Sequence, residues 1–151
     1  MTQAIAVATA IGNGPAFSAY ASSNTTLTNA TFVKVNFQTK EFDTNTNYST
    51  STSRFTPTVA GYYLLQTGIA FTGSATSESE IGLYKNGSVL RYGMDIITAG
   101  GSVLYNMQGN WLAYANGSTD YFEIYMYQNS SRDAVASQYQ TYFTGVMVRG
   151  V

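Results

Sequence analysis

The sequence predicts an all-β sandwich or jelly roll in a single domain. Eight to ten short stretches alternate apolar and polar residues, with turn residues between them, and this pattern is typical of strands that bury one face. No stretch of ten or more residues has apolar positions at helical spacing. The 13 Tyr and 8 Phe among 151 residues also suit the pleated surface of a sheet.

Composition narrows the possible functions. The chain has no Cys and no His, so it lacks thiolate sites, the commonest general base and the commonest metal ligand. Charged residues make up 10% of the chain, net −1 and without runs, whereas nucleic-acid binding requires clustered Lys and Arg. No apolar run approaches the roughly 20 residues that span a membrane. We therefore expect neither nucleic acid nor membrane as a partner, and the late first basic residue, Lys34, predicts no secretory signal.

The N-terminal stretch alternates with a period of two up to the hinge at residues 12–15. It divides the chain into an extended arm, residues 1–13, and the β domain, residues 14–151. A terminus of this kind is either frayed or an arm that adds a strand to a partner's sheet. In the second case Ile5, Val7 and Ile11 would contact the partner.

Two strands are predicted over Ala16–Ala21 and Thr31–Gln38, followed by a polar loop over Lys40–Ser53 that Phe42 and Tyr48 hold in place. The strongest strand runs from Tyr62 to Phe71, after a corner bracketed by a rigid Pro and a permissive Gly. One face of this strand is predicted to carry Tyr63, Leu65, Thr67, Ile69 and Phe71. A second polar loop over Gly73–Glu80 follows.

The second half of the chain begins with a hairpin, because Asn86-Gly87 between alternating apolar residues is the strongest short hairpin signal. We predict a loop over Asp95–Gly101, then a strand over Ser102–Tyr114 with a bulge or change of face at Gly109. The remaining elements are a hairpin-type turn at Ala115–Ser118, a strand over Tyr121–Gln128 with Phe122, Ile124 and Met126 on its core face, a polar loop over Asn129–Ser137, and a last strand over Gln138–Val148.

Four motifs in order resemble the C1q-like globular head, the jelly roll shared with tumour necrosis factor. They are Phe17-Ser18-Ala19-Tyr20, Phe55-Thr56-Pro57 with Gly61-Tyr62-Tyr63, Leu83-Tyr84-Lys85-Asn86-Gly87, and Tyr142-Phe143-Thr144-Gly145-Val146. The resemblance implies a ten-stranded jelly roll, a homotrimer, and a binding module without catalytic residues. The turn with Gly117 and Asp120 departs from the family's spacing, and no collagen-like repeat precedes the domain.

In its polar Thr/Asn/Ser-rich loops and its lack of Cys and His, the chain resembles C1q-like modules of bacteriophage virions and bacterial surface fibres. We therefore expect a virion protein, of fibre-tip type, that attaches to a glycan or protein receptor on a host surface. The alternative is a capsid decoration trimer that clamps coat subunits through its arm. Location on a bacterial surface fibre and a monomeric lectin-like sandwich are further hypotheses.

A carbohydrate site is one hypothesis for the binding surface. Tyr125 and Tyr127 precede Arg132 and Asp133, and exposed aromatic rings beside polar loops are suited to sugars. The alternative is that the tyrosines line the trimer interface, where an apolar ring with a polar hydroxyl is useful.

No cofactor is expected, with one structural alternative. Asp43, Asn45 and Asn47 offer alternate oxygen ligands of the kind Ca²⁺ takes, but a self-bonded Asx loop is the simpler interpretation. Carboxylate pairs at glycosidase spacing occur at Glu41 with Asp43, Glu78 with Glu80, and Asp120 with Glu123. Each pair is more simply a solvated surface feature, so we expect no enzyme.

Overall fold

Thirteen strands form two antiparallel sheets in the computed structural model, which describes residues 14–73, 75–99 and 103–151. Within these residues there is no helix, and so none long and apolar enough to cross a membrane. The strands are β1 Ala16–Ala21, β2 Thr25–Leu27, β3 Thr31–Lys34, β4 Thr39–Asp43, β5 Tyr48–Ser49, β6 Arg54–Phe55, β7 Ala60–Thr72, β8 Ala75–Lys85, β9 Ser88–Ala99, β10 Leu104–Asn116, β11 Phe122–Gln128, β12 Arg132–Ala134 and β13 Ser137–Gly150.

The centre of sheet 1 is β7, which pairs with β10 along its whole length and with β13 and then β12 on its other edge. Beyond these, β1 and β4 extend the sheet past β13, and β2 lies beside β12. In sheet 2, β8 lies between β9 and β11, while β3 and β6 pair with the other edge of β11 and β5 pairs with β6. The predicted number of ten strands is not confirmed, since several of the thirteen have only two or three residues.

The core fills the space between the sheets, and the predicted core faces are confirmed. All five residues predicted for one face of β7 are at most 1% exposed, and so are Phe122, Ile124 and Met126 on β11. Phe17 stacks on Tyr48 and Phe55 with ring centroids 4.9 and 4.3 Å apart. The motif residues Phe17 and Phe55 therefore meet at the centre of the core, although 38 positions of sequence separate them.

Four predicted loops were partly wrong, and the one over Asn129–Ser137 contains β12 and the first residue of β13. The stretch predicted as loop over Gly73–Glu80 belongs from Ala75 onward to β8, and most of the stretch over Asp95–Gly101 belongs to β9. These two polar segments pair with each other, with Glu80 opposite Asp95. Cross-strand pairing outweighs the weak β-propensity of the small and acidic residues at the start of β8, whereas Ile96, Ile97 and Thr98 favour a strand by themselves. In the loop predicted over Lys40–Ser53, β4 forms the edge of sheet 1 beside β1.

Two local predictions in the second half were also wrong. Gly109 causes no bulge, because β10 stays in register with β7 from Leu104 to Asn116. The glycine instead leaves room for an indole: a Cβ at this position would overlap the Trp111 ring. The turn at residues 115–118 closes no hairpin, since β10 lies in sheet 1 and β11 in sheet 2.

Candidate functional site

Sheet 1 presents apolar side chains on the face turned away from the core. The register aligns Leu112, Leu64 and Val146 side by side across β10, β7 and β13. In the next row Tyr114 faces Tyr62, with ring centroids 5.6 Å apart. Leu112 is 64% exposed, and Tyr62, Tyr114 and Val146 are exposed by 40 to 43%. We call these five residues the sheet-1 stripe.

The stripe itself contains no charged side chain, although Arg149 of β13 lies opposite Tyr62, and polar side chains lie beyond it on the same face of β7 and β10. The side chain of Gln66 donates a 2.6 Å hydrogen bond through Nε2 to Asn110 Oδ1, and Asn106 Nδ2 donates to the Gln140 carbonyl at 3.2 Å. A contiguous exposed apolar surface rimmed by polar residues is typical of a protein interaction site. This surface was not predicted from the sequence. The presence of apolar residues on both faces of β7 and β10 is the sequence feature that could have indicated it.

The tyrosines of the predicted carbohydrate site lie on sheet 2, on its outer face. Tyr125 stacks on Tyr84 with centroids 4.0 Å apart, and Tyr127 contacts Phe32 at 5.4 Å, which in turn stacks on Tyr92 at 5.5 Å. Both predicted tyrosines are half-buried among these rings. Burial raises the pKa of Tyr125, and the nearby Glu123 carboxylate adds to this rise.

Glu123 precedes these two tyrosines on the outer face of β11 but is only 1% exposed. Its Oε1 atom accepts hydrogen bonds from Arg54 Nε at 2.9 Å and from Lys34 Nζ at 3.2 Å. The Arg54 guanidinium in turn lies 4.1 Å from the centre of the Tyr121 ring. These contacts tie β11 to β3 and β6, so Glu123 has a structural role that its sequence position did not indicate.

Arg132 and Asp133, the other half of the predicted carbohydrate site, lie on β12 in sheet 1. They line a solvent-open cavity of about 280 Å³ together with Thr26, Thr72 and Ser131. Asp133 Oδ2 accepts a hydrogen bond from Asn24 Nδ2 at 3.3 Å. In the described part of the chain, no hydrogen bond, ion pair or ring contact joins these two residues to Tyr125 or Tyr127. The structure thus places the four residues in two separate pairs.

The proposed calcium ligands lie in a tight turn after β4. The Asp43 carboxylate accepts hydrogen bonds from the backbone N–H groups of Asn47 and Tyr48 at 2.9 and 3.0 Å, and from Lys40 Nζ at 3.2 Å. The Asn45 Oδ1 atom accepts from Thr44. These contacts are those of a self-bonded Asx loop. No group of three or more acidic residues within the described ranges is placed to hold a metal, and calcium binding stays an alternative hypothesis.

A second polar cluster joins the β8–β9 hairpin to the β10–β11 turn. Asp120 pairs with Lys85 Nζ at 2.7 Å and accepts hydrogen bonds from Asn86 Nδ2 at 2.8 Å and from the Asn116 backbone at 2.9 Å. Burial alone raises the pKa of Asp120, but these hydrogen bonds lower it further than burial raises it, so the pKa lies below its ordinary value. Asp120, one of the two residues that the departing turn retains, thus holds this cluster together.

The arm residues Ile5, Val7 and Ile11 lie outside the described residues. The proposed division at residue 13 and the contacts of the arm therefore stay predictions.

No family model and no curated protein matches this chain. Solved structures do match over most of its length. The globular domain of zebrafish complement 1qA protein superposes with a TM-score of 0.65 at 17% identity, covering 91% of this chain and 99% of its own. Eiger TNF from S. frugiperda gives 0.67 at 9% identity over 91% and 95% of the two chains. Murine APRIL gives 0.64 at 11% identity over 89% and 98%. The fold of this chain is therefore the C1q/TNF-like jelly roll.

Proposed function

We propose that this chain is a non-enzymatic binding module that assembles as a homotrimer through the sheet-1 stripe. The observation that carries the proposal is the stripe itself, a row of exposed apolar side chains on a sheet whose other face is already the core. Burying such side chains stabilises an assembly by about 25 cal/mol per Å² of apolar surface. The resemblance to the C1q-like head supports three copies.

A second copy of the same chain is the partner that suits the stripe. No member of the stripe is charged and its side chains are aliphatic or aromatic, and the core of a permanent interface between identical chains has this composition. A threefold ring also uses a single contact type repeated around the axis. The stripe lies near the start of β7 and the Arg132 cavity at its end, so assembly through the stripe leaves the cavity and the outer face of sheet 2 available for other ligands.

Three of the described carboxylates favour binding over catalysis. Asp43 closes a turn, Asp120 pairs with Lys85, and Glu123 is engaged by two cations. A glycosidase needs one carboxylate that can hold a proton and another that faces the substrate, and these three are committed to structural contacts. The solved structures that match are likewise C1q and TNF domains.

The wider role that we propose is attachment to a host-surface receptor, as a fibre-tip module of a virion. It is supported by the polar loops and the lack of Cys and His in the sequence, and by the surface that trimer formation leaves available. The test is binding of fluorescently labelled protein to bacterial cells, with saturable attachment as the expected result. If the labelled protein attached to no bacterial strain tested, the receptor role would be contradicted, but the trimer would not.

The decoration alternative depends on residues 1–13. Deleting residues 2–13 should abolish incorporation into particles while leaving the oligomeric mass of the remaining domain unchanged. Normal incorporation of the truncated chain would exclude the arm. Immunogold labelling of particles then separates the two roles, because fibre tips or the capsid surface would carry the gold.

A further inference from the structure

The cavity beside β12 lies at the end of sheet 1 where β7 stops. The three-residue strand β12 is held between β2 and β7, with Arg132 opposite Leu27 and Ala134 opposite Phe71. All five lining residues are polar: three hydroxyl groups from Thr26, Thr72 and Ser131, the Arg132 guanidinium and the Asp133 carboxylate. At about 280 Å³, the cavity is close to the smallest ligand sites, which begin at about 300 Å³.

Arg132 forms no ion pair within the described residues, unlike four of the other basic residues. Lys34, Lys40, Arg54 and Lys85 each form an ion pair, whereas the Arg132 Nε atom is buried and has no hydrogen-bond partner within the described residues. Its neighbour Asp133 does not supply one, because the Asp133 carboxylate accepts its hydrogen bond from Asn24 instead. A buried donor without an acceptor is unfavourable, so this guanidinium lacks an anionic or carbonyl partner.

A second unpartnered atom lies at the other end of the same connection. Gln128, the last residue of β11, is fully buried, and its Nε2 atom donates to the carbonyl of the cavity residue Thr72 at 3.2 Å. Its Oε1 atom has no partner in the part of the chain that the structure describes. One buried donor and one buried acceptor are thus unsatisfied on either side of the β11–β12 connection, and polar groups of this kind are typical of ligand sites.

The chemistry of the lining selects the ligand. A guanidinium matches a carboxylate with two parallel hydrogen bonds, and the three hydroxyl groups can donate to or accept from sugar hydroxyls. The Asp133 carboxylate can accept from a sugar hydroxyl, but it repels a second negative charge. A dianionic phosphate therefore fits less well than a group with a single negative charge.

We propose that this cavity binds a carboxylated sugar, of the uronic or sialic acid type, with Arg132 holding the carboxylate and Thr26, Thr72, Ser131 and Asp133 holding hydroxyl groups. The inference rests on the proposed function as a binding module and names a ligand class for it. It places recognition on Arg132 and Asp133 without Tyr125 and Tyr127, whose rings lie on the other sheet.

The test is titration of the assembled full-length protein with glucuronate and with N-acetylneuraminate, followed by NMR of the arginine Nε–Hε resonances. Glucose serves as the neutral control and acetate as the carboxylate without hydroxyls. At least one acidic sugar should shift a single arginine resonance, and that resonance should be missing in the Arg132→Gln variant. Acetate and glucose should bind about tenfold or more weakly, since each lacks one half of the contacts.

Two substitutions refine the result. Arg132→Gln should reduce the affinity for the acidic sugar by about tenfold to a hundredfold, the loss typical of a hydrogen bond to a charged group. The affinity of Arg132→Lys should lie between those of Arg132→Gln and the unsubstituted protein. A lysine keeps the positive charge but cannot form the two parallel hydrogen bonds of a guanidinium. Arg91→Gln is the matched control, since Arg91 is an exposed arginine on β9 and should bind normally.

Binding of neither acidic sugar, or equal binding of glucose, would overturn the inference. So would undiminished affinity in a folded Arg132→Gln variant. If the trimeric mass and cell attachment persist in any of these cases, the proposed function stands and only the acidic-sugar site is rejected. Loss of the trimer with retained acidic-sugar binding would reject the assembly and keep the site.

Discussion

Replacing Leu112 with glutamate should dissociate the trimer into single chains. Leu112 lies beside Leu64 in the sheet-1 stripe and is 64% exposed in the isolated chain. Its side chain points away from the core, so the substitution should leave the fold intact. The proposed interface would bury both the new carboxylate and its surroundings.

The magnitude follows from this exposure. Burying a whole leucine side chain stabilises by about 1.5–3 kcal/mol, so two thirds of a side chain supplies about 1–2 kcal/mol per chain. Burying an unpaired carboxylate adds a penalty of several kcal/mol per ion. Three copies therefore lose on the order of 10 kcal/mol per trimer, and each 1.4 kcal/mol changes an association constant about tenfold.

The assay is light scattering coupled to size-exclusion chromatography, with circular dichroism to verify the fold. The Tyr92→Glu variant is the matched control, because Tyr92 is 51% exposed and lies on sheet 2, where its ring stacks on Phe32. Leu112→Glu should elute as a folded single chain and Tyr92→Glu as a trimer. If Leu112→Glu kept the trimeric mass, the stripe would not be the interface.

Three further predictions concern stability. Hydrogen bonds lower the pKa of the Asp120 carboxyl group in the folded chain. The unfolded chain therefore binds a proton at Asp120 at a higher pH than the folded chain does. The stability that Asp120 contributes is present above its ordinary pKa and is lost as the pH falls through the folded-state pKa. In urea unfolding, Asp120→Asn should therefore be less stable at neutral pH, with the difference shrinking in acid; a constant difference would contradict the network. Gly109→Ala should destabilise by about 1–3 kcal/mol and shift the fluorescence of the single tryptophan, Trp111, whereas unchanged emission would mean that the ring does not cover the glycine. Chelation with EDTA should leave the melting temperature unchanged, because Asp43 is bonded to backbone N–H groups and Lys40; a clear drop would instead establish the calcium site.

Alternation in the sequence predicted the strands whose inward side chains are large and apolar. On β7 and β11 every second residue is a buried aliphatic or aromatic residue with few exceptions, so the period of two is visible without knowledge of the partner strand. The order of the four motifs also indicated the C1q/TNF-like fold. Single strands of this kind carry their own signal.

The polar strand ends could not be predicted in this way. The first residues of β8 are small, hydroxylated or acidic and become a strand by pairing with the end of β9, where Ile96, Ile97 and Thr98 were a strand signal that the neighbouring glycines obscured. Gly109 is a second case. A glycine within a strand pattern indicates a bulge, but here its small size makes room for the Trp111 ring, and the sequence alone does not distinguish the two.

The candidate sites depended on sheet membership, which linear order conceals. Tyr127 and Arg132 are five positions apart, but the chain crosses from sheet 2 to sheet 1 between them. The sheet-1 stripe brings together residues from three strands that are distant in sequence. Its members looked like ordinary outward positions until the register aligned them.

The measurement that tests the central claim most directly is the mass of the purified chain by light scattering, taken over a wide range of protein concentration. A homotrimer should have a mass of about 49 kDa, three times the 16.3 kDa of one chain. That mass should persist on dilution. A mass of 16.3 kDa at every concentration would mean that the sheet-1 stripe does not join copies of this chain, and the trimeric binding module would have to be abandoned.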